Sequence, residues 1–160
     1  MISDLDLKYL RRCVELAEIA LEKGNAPFGS VLVSADGELL AEEHNRVAGG
    51  DQTQHPEFAL ARWAAENMTP EERSQATVYT SGEHCPMCAA AHGWVGLGRI
   101  VYACSSEQLA QWLKEMEAPQ SRVRSLPIQG IIHDTATEGP VPELEEQVHR
   151  LHCLYHTKGR

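Results

Sequence analysis

The sequence lacks the features that mark membrane-spanning and secreted proteins. No apolar run approaches the roughly 20 residues that a helix needs to cross a bilayer. The N-terminal residues 1–6 are acidic and contain no apolar core of a secretory signal. The five cysteines are an odd number, which argues against a disulfide framework and for a reducing interior. We therefore expect a cytoplasmic protein with no membrane partner.

Basic residues are also scarce. The 160 residues include 14 Lys and Arg against 23 Asp and Glu, which gives a formal net charge of -9. Because Lys and Arg that neutralise phosphates supply most non-specific affinity for nucleic acid, nucleic acid is a disfavoured partner. The length and the 42% hydrophobic content fit one folded domain over residues 1–160.

Two short motifs about thirty residues apart carry the chemistry. The first is His55-Pro56-Glu57 and the second is Cys85-Pro86-Met87-Cys88. Proline is tolerated at the first helical position, so both motifs indicate helix starts. A catalytic zinc site uses three protein ligands and leaves one position for water. His55, Cys85 and Cys88 are such a set, and Glu57 is the candidate base that takes a proton from water.

The same residues allow other interpretations. His84 or another histidine could close a purely structural zinc site, which would make the chain a zinc-stabilised module without activity. The cysteine pair could be a thioredoxin-like redox centre. Glu57 could be a plain helix-start acid that interacts with the helix dipole. We favour the catalytic site because it uses the histidine, the glutamate and both cysteines together.

Taken together, the motifs resemble the zinc-dependent cytidine deaminase superfamily, whose signature is H-x-E followed by P-C-x-x-C. The likeness is closest to the guanine deaminase and bacterial tRNA adenosine deaminase branch. Residues 27–33, 44–47 and 78–81 support it, and it extends from about residue 7 to about residue 102. The resemblance implies one Zn²⁺ per subunit and a homodimer.

The resemblance also implies residues that bind the substrate. The asparagine that matches Asn45 binds the substrate ring in relatives, and the position of Phe28 lines the pocket. The C-terminal segment closes over the active site in guanine deaminases. Residues 142–160 are therefore a candidate cap, with Tyr155 and His156 as ligand contacts.

Two positions depart from the pattern of the superfamily. His84 replaces the proline that usually precedes the first cysteine, and it is a further candidate substrate contact. Pro56 replaces an alanine whose backbone N–H donates a hydrogen bond to the substrate ring in relatives. Proline has no N–H, so a substrate that needs this donor would lose roughly 1 to 3 kcal/mol. The usual substrate assignment therefore does not transfer directly.

Hydrophobic periodicity predicts the elements that carry these motifs. The expected fold is α/β, with three α/β/α layers around a mixed sheet of about five strands, as the resemblance also implies. The predicted strands cover residues 28–34, 38–44, 77–81, 99–103 and 127–132. The predicted helices cover residues 6–23, 105–116 and 142–155, together with one that begins after His55 and is stopped by Thr69-Pro70, and one after Cys85 that ends before Gly96.

The resulting hypothesis is a hydrolytic deaminase of a small aminated heterocycle. A purine base such as guanine is the leading substrate, and the acidic balance places tRNA adenosine second. Cytosine, cytidine and aminotriazine rings are further alternatives.

Overall fold

Five strands and six α-helices are formed within residues 1–157, which are the residues that this computed structural model describes. The strands are β1 (Gly29–Val33), β2 (Leu39–His44), β3 (Thr77–Gly82), β4 (Ile100–Cys104) and β5 (Thr137–Glu138). The helices are α1 (Asp4–Glu22), α2 (Pro56–Asn67), α3 (Pro70–Gln75), α4 (Pro86–Val95), α5 (Ser106–Glu115) and α6 (Pro142–Thr157). Short 3-10 turns lie at Val47–Gly49 and Ile128–Gly130.

The strands form one mixed sheet in the order β2-β1-β3-β4-β5. Strand β1 pairs antiparallel with both β2 and β3, and its register sets Ser30 opposite Thr80. Strands β3, β4 and β5 pair in parallel. The predicted mixed sheet of about five strands is therefore confirmed.

Helices cover both faces of this sheet. On one face, α1, α5 and α6 bury an apolar cluster against β1, β3 and β4, with Leu10, Trp112 and Val148 among its members. On the other face, α2 packs beside α4 through a second cluster that includes Leu32 and Leu60. The three-layer α/β/α architecture expected from the sequence is thus confirmed. In the described part of the chain, no helix combines the length and apolar character that a membrane span requires.

Helix α1 approaches the sheet closely at Gly29. A Cβ atom at this position would lie 2.3 Å from the Cys13 carbonyl oxygen and 2.5 Å from the Leu16 Cβ. Both of those atoms belong to α1, so only glycine allows the first residue of β1 to sit against the helix backbone. This contact fixes the start of the strand that carries Ser30.

One detail of the sequence-based prediction is wrong, and one helix was not predicted. The strand expected over residues 127–132 is a 3-10 turn at Ile128–Gly130, and the fifth strand is the two-residue β5. Thr69 and Pro70 follow the end of α2, as the sequence predicts, and they also begin the unpredicted helix α3. Thr69 caps this helix by accepting from the Glu72 N–H, and the Glu72 side chain accepts from the Thr69 N–H in return.

Candidate metal centre

The two motifs begin neighbouring helices, as the sequence predicts. His55 is the N-cap of α2 and Cys85 is the N-cap of α4, and a proline follows each at the first helical position. Cys88 lies in the first turn of α4 on its buried side. Because α2 and α4 pack together, their N-terminal ends bring the histidine and both cysteines to one place.

The distances among these side chains fit a tetrahedral zinc ion. The ligand atoms of His55, Cys85 and Cys88 all lie within 4.8 Å of one another. The His55 Nδ1 atom is 3.5 Å from the Cys85 Sγ and 3.6 Å from the Cys88 Sγ. Zinc bonds of about 2.3 Å to sulfur and 2.0–2.1 Å to nitrogen, at tetrahedral angles, separate such atoms by about 3.5 Å. The side chains present therefore fit the ion.

The ligand cluster has three members. Among residues 1–157, no other His, Cys, Asp or Glu belongs to it. His84 in particular is outside the cluster, which argues against a closed structural site with His84 as the fourth ligand. Three ligands leave one coordination position for solvent, the arrangement of a catalytic site.

Electrostatics favour a thiolate at this centre. A hydrogen bond from Cys88, followed by one from His55, lowers the pKa of the Cys85 thiol to about 4. The hydrogen bond with Cys85 in turn raises the pKa of His55. The position of Cys85 at a helix N-terminus acts in the same direction, because the dipole there stabilises negative charge.

Glu57 lies beside the ligands and is buried, with 6% of its surface exposed. Burial, together with the negative charge of Cys85, raises the pKa of Glu57 to about 7. A carboxyl group with a pKa close to the operating pH can both accept and donate a proton. This is the property that the hypothesis for Glu57 requires.

Two hydroxyl groups hold the Glu57 carboxyl group, and sequence reasoning missed both. The Ser30 Oγ atom is 2.9 Å from the Glu57 Oε1, and the Thr80 Oγ1 is 3.2 Å from the same oxygen. Ser30 and Thr80 are fully buried in adjacent strands. A signal was available, because each is a polar side chain inside an otherwise apolar, buried strand, where a hydrogen-bond partner is needed.

The structure brings Asn45 and Phe28 together. The Asn45 N–H donates to the Phe28 carbonyl, and the Asn45 side chain is buried and accepts from the Val47 N–H at 3.0 Å. That bond stabilises the local turn. The Phe28 ring lies next to the backbone of Gly82 at the end of β3. Substrate binding by both residues stays a prediction.

His84 is placed in the protein interior. Its ring is 1% exposed and meets His92 edge-on at a centroid distance of 5.4 Å. Neither ring nitrogen of His84 has a hydrogen-bond partner among the described residues. Burial lowers the pKa of His84, so the ring is neutral. Its proposed contact with substrate stays a prediction, and the ring as placed packs against His92.

Helix α6 contacts Phe28 through His152, which sequence reasoning passed over. The His152 ring is 1% exposed and lies edge-on to Phe28 at a centroid distance of 5.0 Å. Tyr155 and His156, the residues expected to touch substrate, contact each other at 5.0 Å. Of the candidate cap over residues 142–160, the last three residues lie outside the described part of the chain.

Comparisons with known proteins agree with this geometry. Residues 3–104 match the family model described as the cytidine and deoxycytidylate deaminase zinc-binding region. A probable cytosine deaminase of Schizosaccharomyces pombe is 33% identical over 146 residues, which cover 90% of this chain and 89% of the relative.

Two further relatives differ in the substrate that they are named for. The guanine deaminase of Bacillus subtilis is 34% identical over 64% of this chain and 67% of its own. A tRNA-specific adenosine deaminase of Haemophilus influenzae is 33% identical over 64% of this chain and 60% of its own. The solved guanine deaminase of Nitrosomonas europaea has the same fold, with a TM-score of 0.69, 18% identity, and coverage of 98% of this chain and 86% of its own.

Proposed function

Because this chain belongs to the family of zinc-binding cytidine and deoxycytidylate deaminases, we propose that it hydrolyses the amino group of a free nucleobase, with guanine as the first candidate. The observation that carries the proposal is the buried carboxyl group of Glu57 beside the cluster of one histidine and two cysteines. The products are a ring carbonyl and ammonia.

The residues of the chain have distinct roles in this proposal. His55, Cys85 and Cys88 would hold the zinc ion, whose Lewis acidity, when bound, lowers the pKa of water to about 7. Glu57 accepts a proton from the attacking water. It donates this proton to the ring nitrogen, then accepts the second proton of that water from the hydroxyl group now on the ring carbon and donates it to the departing amine, so that one water is consumed and one ammonia is released.

Several features support a free base over a nucleic acid. The net charge of -9 disfavours a polyanion. The contact of α6 with Phe28 through His152 supports residues 142–160 as the candidate cap. Asn45, with its mixed donor and acceptor amide, would bind one edge of that ring. His84, Tyr155 and His156 are further candidate contacts.

Cytosine is the second candidate substrate. The relative that matches nine-tenths of both chains is named a probable cytosine deaminase. Pro56 also has a bearing on substrate choice, because it has no N–H to offer the ring at the position between His55 and Glu57. The substrate of this chain therefore binds without that donor.

The test is ammonia release from a panel of guanine, cytosine, their nucleosides, an aminotriazine and a tRNA anticodon stem-loop. We expect turnover of a free base. Glu57→Gln should retain zinc and lose turnover by about 10²- to 10⁴-fold. Glu66→Gln, the same change at an exposed site of α2, is the matched control. Ordinary activity in Glu57→Gln would refute the role of Glu57, and release from the stem-loop alone would refute a free-base substrate.

We further propose a cytoplasmic homodimer. The five free cysteines of the described chain suit a reducing compartment.

Helix α4 supports the dimer, because Met87, Ala90 and Trp94 share one apolar side of the helix and the Trp94 side chain is 89% exposed. Light scattering after size exclusion should give a dimer for the wild type and a monomer for Trp94→Glu. Val123→Glu, at another exposed apolar site, is the control, and a monomeric wild type would refute the proposal.

A further inference from the structure

The Glu57 carboxyl group is anchored at one oxygen by side chains from two strands. Its Oε1 atom is 2.9 Å from the Ser30 Oγ and 3.2 Å from the Thr80 Oγ1. Ser30 belongs to β1 and Thr80 to β3, and both are fully buried. Neither belongs to the metal-ligand cluster.

The two hydroxyl groups are also bonded to each other and to the backbone. The Ser30 Oγ lies 2.8 Å from the Thr80 Oγ1, and the Thr80 Oγ1 lies 2.9 Å from the Gly82 carbonyl oxygen. Each hydroxyl has one proton to donate. The two protons serve four contacts in alternative arrangements, because Ser30 can donate to Glu57 or to Thr80, and Thr80 can donate to Glu57 or to Gly82. Ser30 has the shorter distance to the carboxylate oxygen and is therefore its main donor, and Thr80 is the second donor and contacts the Ser30 hydroxyl.

The two hydroxyl groups limit the freedom of the Glu57 side chain. A glutamate side chain has several rotatable bonds, and proton transfer requires its reacting oxygen to stay within hydrogen-bond reach of the proton it takes. Two hydrogen-bond donors at Oε1 restrict rotation about the side-chain bonds of Glu57 and leave the second carboxylate oxygen for proton transfer.

We propose that Ser30, supported by Thr80, is a positioning residue that fixes the Glu57 carboxylate for proton transfer. The inference rests on the proposed function, since it assigns the hydroxyls a role only through Glu57. The pairing of β1 with β3 also contributes to the site. Its register sets Ser30 opposite Thr80 and so brings both hydroxyl groups to one carboxylate oxygen.

The variants for the test remove or restore one hydroxyl at a time. Ser30→Ala removes the main donor with little change in volume. Thr80→Val removes the second hydroxyl at constant shape, and Thr80→Ser restores it. Tyr79→Phe is the matched control. It removes another buried hydroxyl of β3, which donates a hydrogen bond of 2.6 Å to Asp6 of α1.

Two measurements separate positioning from general stability. For the preferred base, kcat should fall about ten- to a hundredfold in Ser30→Ala while KM changes by less than about twofold, because a misplaced group impairs the transition state more than substrate binding. The zinc content should remain that of the wild type. Isotope-edited infrared spectra, with Glu57→Gln to identify the band, should show a shifted Glu57 carboxylate stretch in Ser30→Ala. Thr80→Val should lower kcat and Thr80→Ser should recover it.

The outcomes distinguish the two proposals. Ammonia release by the wild type with an equal kcat in Ser30→Ala, or an unchanged carboxylate band in that variant, overturns the positioning role and leaves the proposed function intact. A kcat loss in Tyr79→Phe as large as that in Ser30→Ala also overturns it, since stability alone would then explain both. No ammonia release by the zinc-loaded wild type from any base overturns the proposed function, and the positioning role with it.

Discussion

Replacing His152 by leucine should flatten the acid dependence of stability. The His152 ring is buried between Phe28 and Trp112, and its Nε2 atom has no hydrogen-bond partner within residues 1–157. Burial, followed by the nearby His149 and His156, lowers the pKa of His152 to about 3. In the unfolded chain, a histidine has a pKa of about 6.5.

The sign follows from proton binding. Between pH 6.5 and pH 3 the unfolded state holds a proton at residue 152 that the folded state does not. The free energy of unfolding therefore falls as the pH decreases through this window. From pH 6.5 to pH 5 the change is 1.5 units at about 1.36 kcal/mol each, or about 2 kcal/mol. The variant His152→Leu has no such group and should not lose this amount.

The assay is urea unfolding of both proteins at pH 7, 6 and 5 with equal zinc. Relative to the wild type, His152→Leu should gain about 2 kcal/mol between pH 7 and pH 5, or roughly 4–8 °C in Tm for a chain of this size. Comparing the two proteins cancels the effects of other titrating groups. The exposed His133, changed to leucine, is the control and should retain the wild-type slope. Parallel curves for wild type and His152→Leu would refute the reasoning.

Three further predictions follow from the packing, the charge network and the ligands. Gly29→Ala should lower the free energy of unfolding by about 3 kcal/mol or prevent folding, because the alanine Cβ would clash with the Cys13 carbonyl. Gly49→Ala is the control and should be tolerated, because no atom lies within 4 Å of its Cβ. Circular dichroism on heating compares the two variants. Arg99→Met should cost about 2–3 kcal/mol in urea at pH 7, since it removes two bonds of 2.9 Å from the buried Asp6 carboxylate. Arg99 holds the pKa of Asp6 well below its usual range, so this difference should shrink as the pH falls below about 4, and a constant difference would contradict the assignment. Removing zinc by chelation should lower Tm, and adding zinc back should restore Tm, because an ion that binds only the folded state stabilises that state. An unchanged Tm would argue against a metal at the three ligands.

The sequence was informative wherever a local motif carried the signal. Proline at the first helical position marked the starts of α2 and α4, and the structure brings His55, Cys85 and Cys88 together as those motifs imply. Glu57 lies beside them because it is two residues from His55 on the same helix. Local spacing was sufficient for these four residues.

The sequence was less informative where the signal depended on distant partners or short elements. Ser30 and Thr80 are fifty residues apart and meet only through the register of β1 and β3. Strand β5 has two residues, too few to show an alternating pattern. The apolar run near Ile128 has strand-like composition, yet it folds as a 3-10 turn. The Ile128 N–H donates to the Glu83 carboxylate at 2.8 Å, a contact that composition does not reveal.

The origin of the site from separate parts of the chain has a practical consequence. All three metal ligands come from the α2–β3–α4 segment, whereas the main hydrogen-bond donor to Glu57 comes from β1, which precedes that segment. On the proposed mechanism, a preparation damaged near its first strand would still carry a full equivalent of zinc and yet turn over poorly. Metal stoichiometry alone is then a poor criterion of enzyme quality, and titration of competent active sites would be the better standard for comparing batches.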